Sequence, residues 1–570
     1  RHTRIPMEAT RQKTLPQRTR LQPREAAVLT KEIVAIIPAA GKPTNHIVPN
    51  NNQPDTMLPI NGKPVIAHII DDLLERKVTR VSLILNKHDT CTEQYVKRMY
   101  ATKCNVRILY NKSPERGVGY SIALAVMQTP RASSFLVYLG DTIYKGKLSF
   151  DKDFVVTSKT HADSSKWCFV EEHGLKLTFI DKPRHYHGSG SILCGVYFFQ
   201  DGMSLKKSLT SLSAEKDKLE LADILRSYSH IHTTTLIPAE HWFDCGNIEN
   251  YYQAKIHFLK VRKFNSISYN DTYGYITKRS ADKKKILDEI RWYENTPPEL
   301  SIFSPRLVSS RIEKKAASYA IEFYGYQSLA DMFLFESLDI KAWQTIIKKL
   351  FTTLSLFKKY KCPIPFRHYE EMYYKKTLSR LAELGKKPFW KELLRKETLT
   401  INGTAYKNVG HFIPDLKKML KKLYRKNEMT FMHGDFCLGN ILYDPSSKIL
   451  KCIDPRGSFG KTSVYGDLKY DVAKLRHSFR GYYDFIVSDL FSLEEKEGAW
   501  KLEFFTNADT ERIAEYFDKE LEKNGFDLSL VSLVEALLFL SMVPLHADNQ
   551  KRQLAMYLRG IQLINSLSNS

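Results

Sequence analysis

Between residues 33 and 139, short apolar runs alternate with segments of helical period, and this alternation restricts the fold more than any other feature of the chain. Ile33 to Pro38 is strand-like, and the helical stretch after it places Ile66, Ile69, Ile70, Leu73 and Leu74 on one face. Apolar residues three and four apart line one side of a helix, whereas a short continuous apolar run suits a strand covered on both faces. The same reading gives strands over 80–85, 105–109 and 134–139, with helices near 92–101 and 119–128. Repetition of the strand–helix–strand unit predicts a doubly wound, mainly parallel, Rossmann-like α/β sheet, with ligands at the carboxyl ends of its strands.

The pattern changes after Tyr252. A basic helical segment, Ala254 to Lys263, leads into a strand over 264–269, a turn at 270–274, a strand over 275–278 and a helix over 282–293. Beyond Leu329 the chain reads as mainly helical. A chain of 570 residues exceeds one core, so two catalytic domains are predicted, over 32–262 and 263–570. The second divides into a small lobe, about 263–328, and a large lobe, about 329–570. The Arg-rich, apolar-poor residues 1–31 read as a disordered basic extension.

Lys and Arg number 86 against 63 Asp and Glu, and the resulting +23 charge favours anionic partners. No aromatic-basic RNA motif or zinc-finger spacing accompanies it, which disfavours nucleic acid and leaves nucleotides and phosphorylated small molecules. The eight cysteines are scattered without a CxxC pair and read as reduced thiols. With no secretory hydrophobic segment in 1–31, a cytoplasmic location is expected. The best apolar run, Val531 to Val543, is shorter than a membrane span and interrupted by Glu535, so a buried helix and no membrane span are expected. The sequence leaves the oligomeric state open.

The first strand runs into Pro38-Ala39-Ala40-Gly41-Lys42, where small side chains let backbone amides approach phosphate oxygens. In order there follow Met57-Leu58-Pro59-Ile60-Asn61-Gly62-Lys63-Pro64, Gly117-Val118-Gly119-Tyr120-Ser121, Leu139-Gly140-Asp141, Asp181-Lys182-Pro183, Gly195-Val196-Tyr197-Phe198-Phe199 and Trp242-Phe243-Asp244-Cys245-Gly246. The set resembles the sugar-1-phosphate and phosphocholine nucleotidyltransferases over 33–260. That resemblance implies a nucleotide site at Ala39, Ala40, Gly41, Lys42 and Gly119, Mg2+ on Asp141 and Asp244, and Lys182 as the catalytic cation on the acceptor phosphate. It also implies attack of a phosphomonoester on the α-phosphorus of CTP, UTP, GTP or dTTP. The chain departs from the family pattern at Asn45, where arginine is usual, and at Asp55, where lysine is usual.

In His433-Gly434-Asp435-Phe436-Cys437-Leu438-Gly439-Asn440, aspartate and asparagine have the spacing of a kinase catalytic loop. Asp454 ends a strand-like run, and Gly466-Asp467-Leu468-Lys469-Tyr470-Asp471 follows. This arrangement resembles the aminoglycoside phosphotransferase and choline kinase superfamily over about 263–570, implying a two-lobed α+β, protein-kinase-like fold. By that resemblance Asp435 is the catalytic base and Asn440 and Asp454 hold Mg2+. Lys278 and Glu289 position ATP phosphates, Glu322 and Tyr324 mark the hinge that meets adenine, and Asp471 holds the catalytic loop. His433 reads as structural. Gly457 to Thr462 is not a phosphate loop, because Pro455 stands where that motif needs glycine.

A kinase joined to a nucleotidyltransferase predicts two-step activation of a sugar, polyol or amino-alcohol. The fusion resembles bacterial capsule and surface-polysaccharide proteins. Two alternatives remain: a kinase with an inert nucleotide-binding first domain, and a non-enzymatic nucleotide sensor or scaffold.

Overall fold

The computed structural model describes residues 32–43, 53–129, 133–159, 164–174, 176–259, 266–335 and 338–567. The extension at 1–31, Asn45 and the boundary placed near 262 lie outside the described residues.

In the first domain, strands Asn105–Asn111, Arg80–Asn86, Ile33–Ala39 and Ser134–Tyr138 lie side by side and all parallel. The middle strand feeds two cores: Ala35 and Ile37 pack with Ile66, Ile69 and Ile70 of the Val65–Glu75 helix, while Val34 and Ile36 pack with Ile122 and Val126 of the Val118–Met127 helix. Alternate residues point to opposite faces, so an unbroken apolar strand requires helices on both sides.

Past Ser134–Tyr138 the sheet continues in the other sense. Ser191–Phe199 runs antiparallel to it and also pairs antiparallel with Phe154–Ser158 and Cys168–His173. The expectation of a doubly wound sheet therefore fits the parallel half, and the whole sheet is mixed. Among the described residues from 139 to 190, only a short 3-10 turn, Ser164–Lys166, stands outside strands and loops. Without helical crossovers of sufficient length, neighbouring strands pair antiparallel.

The second domain opens with a four-stranded antiparallel sheet ordered Ser266–Asn270, Tyr275–Ser280, Ala317–Glu322 and Leu307–Ile312. The Lys283–Glu294 helix starts where Asp282 accepts the Lys285 amide. Beyond Leu329 the helices dominate as expected, but they carry added strands: the Ile441–Asp444/Ile449–Cys452 hairpin and a four-stranded sheet from Thr398–Ile401, Thr404–Lys407, Phe491–Lys496 and Ala499–Phe504.

The length read for one apolar run needs correction. The segment Leu528–His546 is, by length and composition, long and apolar enough to cross a membrane, because the helical run extends past the stretch identified at 531–543. Most of it is buried within the protein, and Glu535 at its centre pairs with Arg476, which also binds Asp518 at 2.9 Å.

The helix predicted over 254–263 starts earlier, as Ile248–Leu259, because Asn247 accepts the Glu249 and Asn250 amides. It joins the domains. Tyr251 donates its hydroxyl to the Pro59 carbonyl (2.7 Å) and accepts from Gln327 (3.2 Å). Lys255 donates to the carbonyls of Gly325 (2.8 Å) and Tyr326 (3.1 Å). A Cβ at Gly325 would lie 2.7 Å from the Tyr252 ring, so only glycine permits this approach.

Candidate functional site

Two constellations form, one in each domain. In the first, register does the positioning: His241–Asp244 pairs antiparallel with Thr142–Lys145, placing Asp244 opposite Thr142 and beside Asp141. The Cys245 amide donates to the Asp141 carbonyl (2.7 Å), and the Gly246 amide to Asp244 Oδ1 (3.0 Å). Asp55 joins them from the Asp55–Met57 turn. Burial, reinforced by the charge of Asp55, pushes Asp141 up to about 6. Burial and the charge of Asp141 push Asp244 up to about 8, opposed by Lys166. Each carboxylate raises the cost of ionising the next.

Hard carboxylate oxygens with excess negative charge suit Mg2+, so the donor chemistry of Asp141 and Asp244 fits the ion. Among the described residues no group of three or more His, Cys, Asp or Glu side chains is close enough to cage a metal. Ligands beyond two carboxylates would come from water or substrate.

Ala39, at the end of the first strand, reaches this site. The Gly140 amide donates to the Pro38 carbonyl (3.2 Å), and a Cβ on Gly140 would meet that of Ala39 at 2.7 Å, so the two loops are apposed. Ala40 is buried, whereas Gly41 and Lys42 are exposed. Gly119 departs from its expected role: its amide donates to the Leu219 carbonyl (2.9 Å), and a Cβ there would strike that oxygen at 2.7 Å. Packing of the Val118–Met127 helix explains this glycine. Lys182 is exposed at a left-handed φ of 41°, its amide bonded to the Trp167 carbonyl (3.0 Å).

In the second constellation Glu289, Asp454 and Asp435 each have a cation. Lys278, on Tyr275–Ser280, binds Glu289 of the following helix at 2.8 Å and Asp454 at 3.0 Å. Glu289 also accepts from the Tyr319 hydroxyl (2.7 Å). Burial alone would lower the Lys278 pKa, but Asp454 and Glu289 reverse this and hold it charged. Asp454 has a left-handed backbone (φ 55°), a conformation aspartate tolerates better than most residues.

Asp435 lies across from this group. Burial would raise its pKa, but Lys474 at 2.8 Å holds the carboxyl well below the usual range. Asn440 donates its amide to Asp435 Oδ2 (2.9 Å) and to the Asp435 carbonyl (3.0 Å), which leaves the Asn440 carbonyl oxygen for another ligand. Asp471 accepts the amides of His433 (2.7 Å) and Gly434 (2.8 Å), fixing the loop as its position suggested. His433 is fully buried, and burial lowers it to about 4, consistent with a structural neutral ring.

Glu322 ends Ala317–Glu322 and accepts from Arg306 Nε (3.1 Å) and from the Tyr324 hydroxyl (3.3 Å). The Gly457–Thr462 loop packs on the Lys283–Glu294 helix, with Thr462 donating to Asp288 (3.1 Å). The sequence reading missed Lys474. Its signal was present: Lys474 lies three residues beyond Asp471 on Leu468–Phe479, one turn along the same helix.

Residues 35–261 match the family described as Nucleotidyl transferase. Over 234 residues the chain is 27% identical to "Bifunctional protein GlmU" of Methanococcus maripaludis, covering 40% of this chain and 54% of that protein. It is 24% identical over 177 residues to "UTP--glucose-1-phosphate uridylyltransferase AglF" of Haloferax volcanii, covering 29% of this chain and 71% of the relative. The chain thus spans about half the length of the GlmU relatives it matches. Among solved structures, a putative glucose-1-phosphate thymidylyltransferase from Bacillus anthracis aligns at 18% identity and a TM-score of 0.35, over 41% of this chain and 97% of that one. The N-terminal region is a nucleotidyltransferase domain, and one relative it matches is a uridylyltransferase by name.

Proposed function

We propose that the chain activates a small hydroxyl compound in two steps, phosphorylation in the second domain and nucleotidyl transfer in the first. The observation that carries the first step is that Lys278 binds Glu289 and Asp454, while the Ile453 amide beside Asp454 donates to the carbonyl of Asn440 (2.9 Å), whose side chain holds Asp435. The acceptor hydroxyl would give its proton to Asp435 while its oxygen attacks the γ-phosphorus of ATP, and the bond to ADP breaks. Lys278, held by Glu289, would orient the α- and β-phosphates, and the 322–324 segment would receive adenine. Asn440 and Asp454 would hold Mg2+, which supplies charge neutralisation on the phosphates.

The phosphomonoester would then attack the α-phosphorus of CTP, UTP, GTP or dTTP, releasing pyrophosphate. The family match over 35–261 supports this step. Backbone at Ala39–Gly41 would receive the triphosphate, Asp141 and Asp244 would hold Mg2+, and Lys182 would meet the acceptor phosphate once substrate is bound. The product, in this reading, is a nucleotide-linked precursor of surface polysaccharide, made in the cytoplasm.

The test offers the full chain ATP with a panel of sugars, polyols and amino-alcohols, then offers each product to the four triphosphates. Sequential ADP and pyrophosphate formation is expected. One observation favours a second reading, a kinase with an inert first domain: Asp55 adds negative charge beside Asp141 and Asp244, where a cation would assist transfer. Turnover of any triphosphate with a phosphorylated acceptor would exclude it.

A further inference from the structure

Beside Asp435 the cleft of the second domain gathers more positive charge than its carboxylates can balance. Lys376, Arg380, Arg456 and Lys474 act on one another there. Lys474 is spent on Asp435 at 2.8 Å. The other three have no ion-pair partner among the described residues. Arg380 donates to the Ser541 carbonyl (2.8 Å), and Glu383 is the acidic group acting on it. Lys376 and Arg456 instead converge on one neutral atom, the Tyr470 hydroxyl oxygen, at 3.5 Å and 3.0 Å. The remaining neighbour of the Lys376 ammonium is the Met372 sulfur, at 3.6 Å, a weak acceptor.

Two cations aimed at one phenol oxygen, within the field of the proposed catalytic base Asp435, form a socket for a compact oxyanion. We infer that the acceptor phosphorylated at Asp435 carries a phosphate or carboxylate group of its own, bound by Lys376 and Arg456 with Tyr470 between them. This rests on the kinase reading of that cleft and narrows its substrate class to anionic hydroxyl compounds, away from choline and neutral sugars. Burial and the three like charges push Lys376 well below its ordinary range, a penalty that a bound anion relieves.

The test titrates the full chain, saturated with Mg2+ and a non-hydrolysable ATP analogue, with inorganic phosphate, glycerol 3-phosphate, glycerate, glycerol and choline. Calorimetry should detect binding of at least one anion and none of glycerol or choline. Glycerol 3-phosphate against glycerate distinguishes phosphate from carboxylate recognition. Lys376→Gln and Arg456→Gln should each weaken anion binding tenfold or more, with the analogue's affinity unchanged, and Lys376→Arg should restore part of it. In turnover the loss should fall on KM rather than kcat.

The inference is overturned if no anion binds better than glycerol, or if the substitutions weaken the ATP analogue and spare the anion. It is also overturned, with the kinase reading intact, if choline or glycerol is phosphorylated with a KM that Lys376→Gln leaves unchanged. Loss of anion binding in both variants without phosphorylation of any acceptor would uphold the socket and sink the kinase reading instead.

Discussion

The two constellations use carboxylates in opposite ways. In the first domain Asp141 and Asp244 stand in one another's field and in that of Asp55, opposed by Lys166. In the second, Glu289 and Asp454 share Lys278, and Asp435 holds Lys474. The difference separates a site completed by what it binds from one already assembled by the protein. Buried carboxylates without counter-charge favour protons or metal ions, whereas paired ones stay ionised and fixed in place.

The sharpest way to break this contrast is Asp435→Asn. Loss of the proposed base should cut ATP-dependent phosphorylation about 10²–10⁴-fold, measured by ADP formation with circular dichroism unchanged. Pyrophosphate release from a pre-phosphorylated acceptor should persist. Next in size is Asp244→Asn, expected to lower pyrophosphate release by about 10²–10³-fold, the usual cost of one electrostatic element, and to spare phosphorylation. A variant that damages both activities equally would mean the sites are not separate.

Lys474→Met tests whether the second site depends on its pairs. Without the ammonium, burial loses its largest opponent at Asp435, with Arg456 still acting, and the folded pKa rises. The acid limb of the kcat–pH profile should therefore move to higher pH, by about one unit or more, where one unit corresponds to about 1.4 kcal/mol. An unmoved limb would show that another group keeps Asp435 ionised.

Asp55→Lys exchanges a carboxylate in the field of Asp141 and Asp244 for a cation. Acids whose folded pKa exceeds the unfolded value cost stability as pH rises from about 4 through the folded pKa. For Asp141 and Asp244 that window runs to about 6 and about 8. The variant should be more stable by about 1 kcal/mol at pH 8, an effect of one favourable charge in a half-open setting, and less so at pH 5. Thermal denaturation at both pH values would decide it. The smallest effect is expected from Lys255→Ala, which removes two hydrogen bonds between the domains and should cost about 1 kcal/mol or less, seen as a lower midpoint in denaturant.

Much of this architecture was legible in the sequence, for definable reasons. The Ile33–Ala39 strand and the helices beside it carry burial patterns that alternate between two cores, and the 435–440 spacing put Asn440 within hydrogen-bond reach of Asp435. The antiparallel half of the sheet was not legible, because Ser191–Phe199 is as apolar as the parallel strands and periodicity does not report direction. Gly119 looked like a phosphate-binding glycine because close packing and close ligand approach select the same residue. Lys376 and Arg456 were invisible as a pair because eighty residues separate them and Tyr470 alone unites them. The field of Asp55 on Asp141 likewise joins a turn and a strand end that no local pattern connects.

The Ile248–Leu259 helix begins four residues after Asp244 and carries Tyr252 and Lys255 against Gly325, between the sheet and the helices of the second domain. Its twelve residues rise about 18 Å, so one helix starts beside Asp244 and splints the 325–326 segment of the second domain. A C-terminal half severed after residue 259 would keep every charged group of its own cleft and lose the splint. The seam between the two domains is therefore a packed joint, bridged by Tyr251, Tyr252 and Lys255.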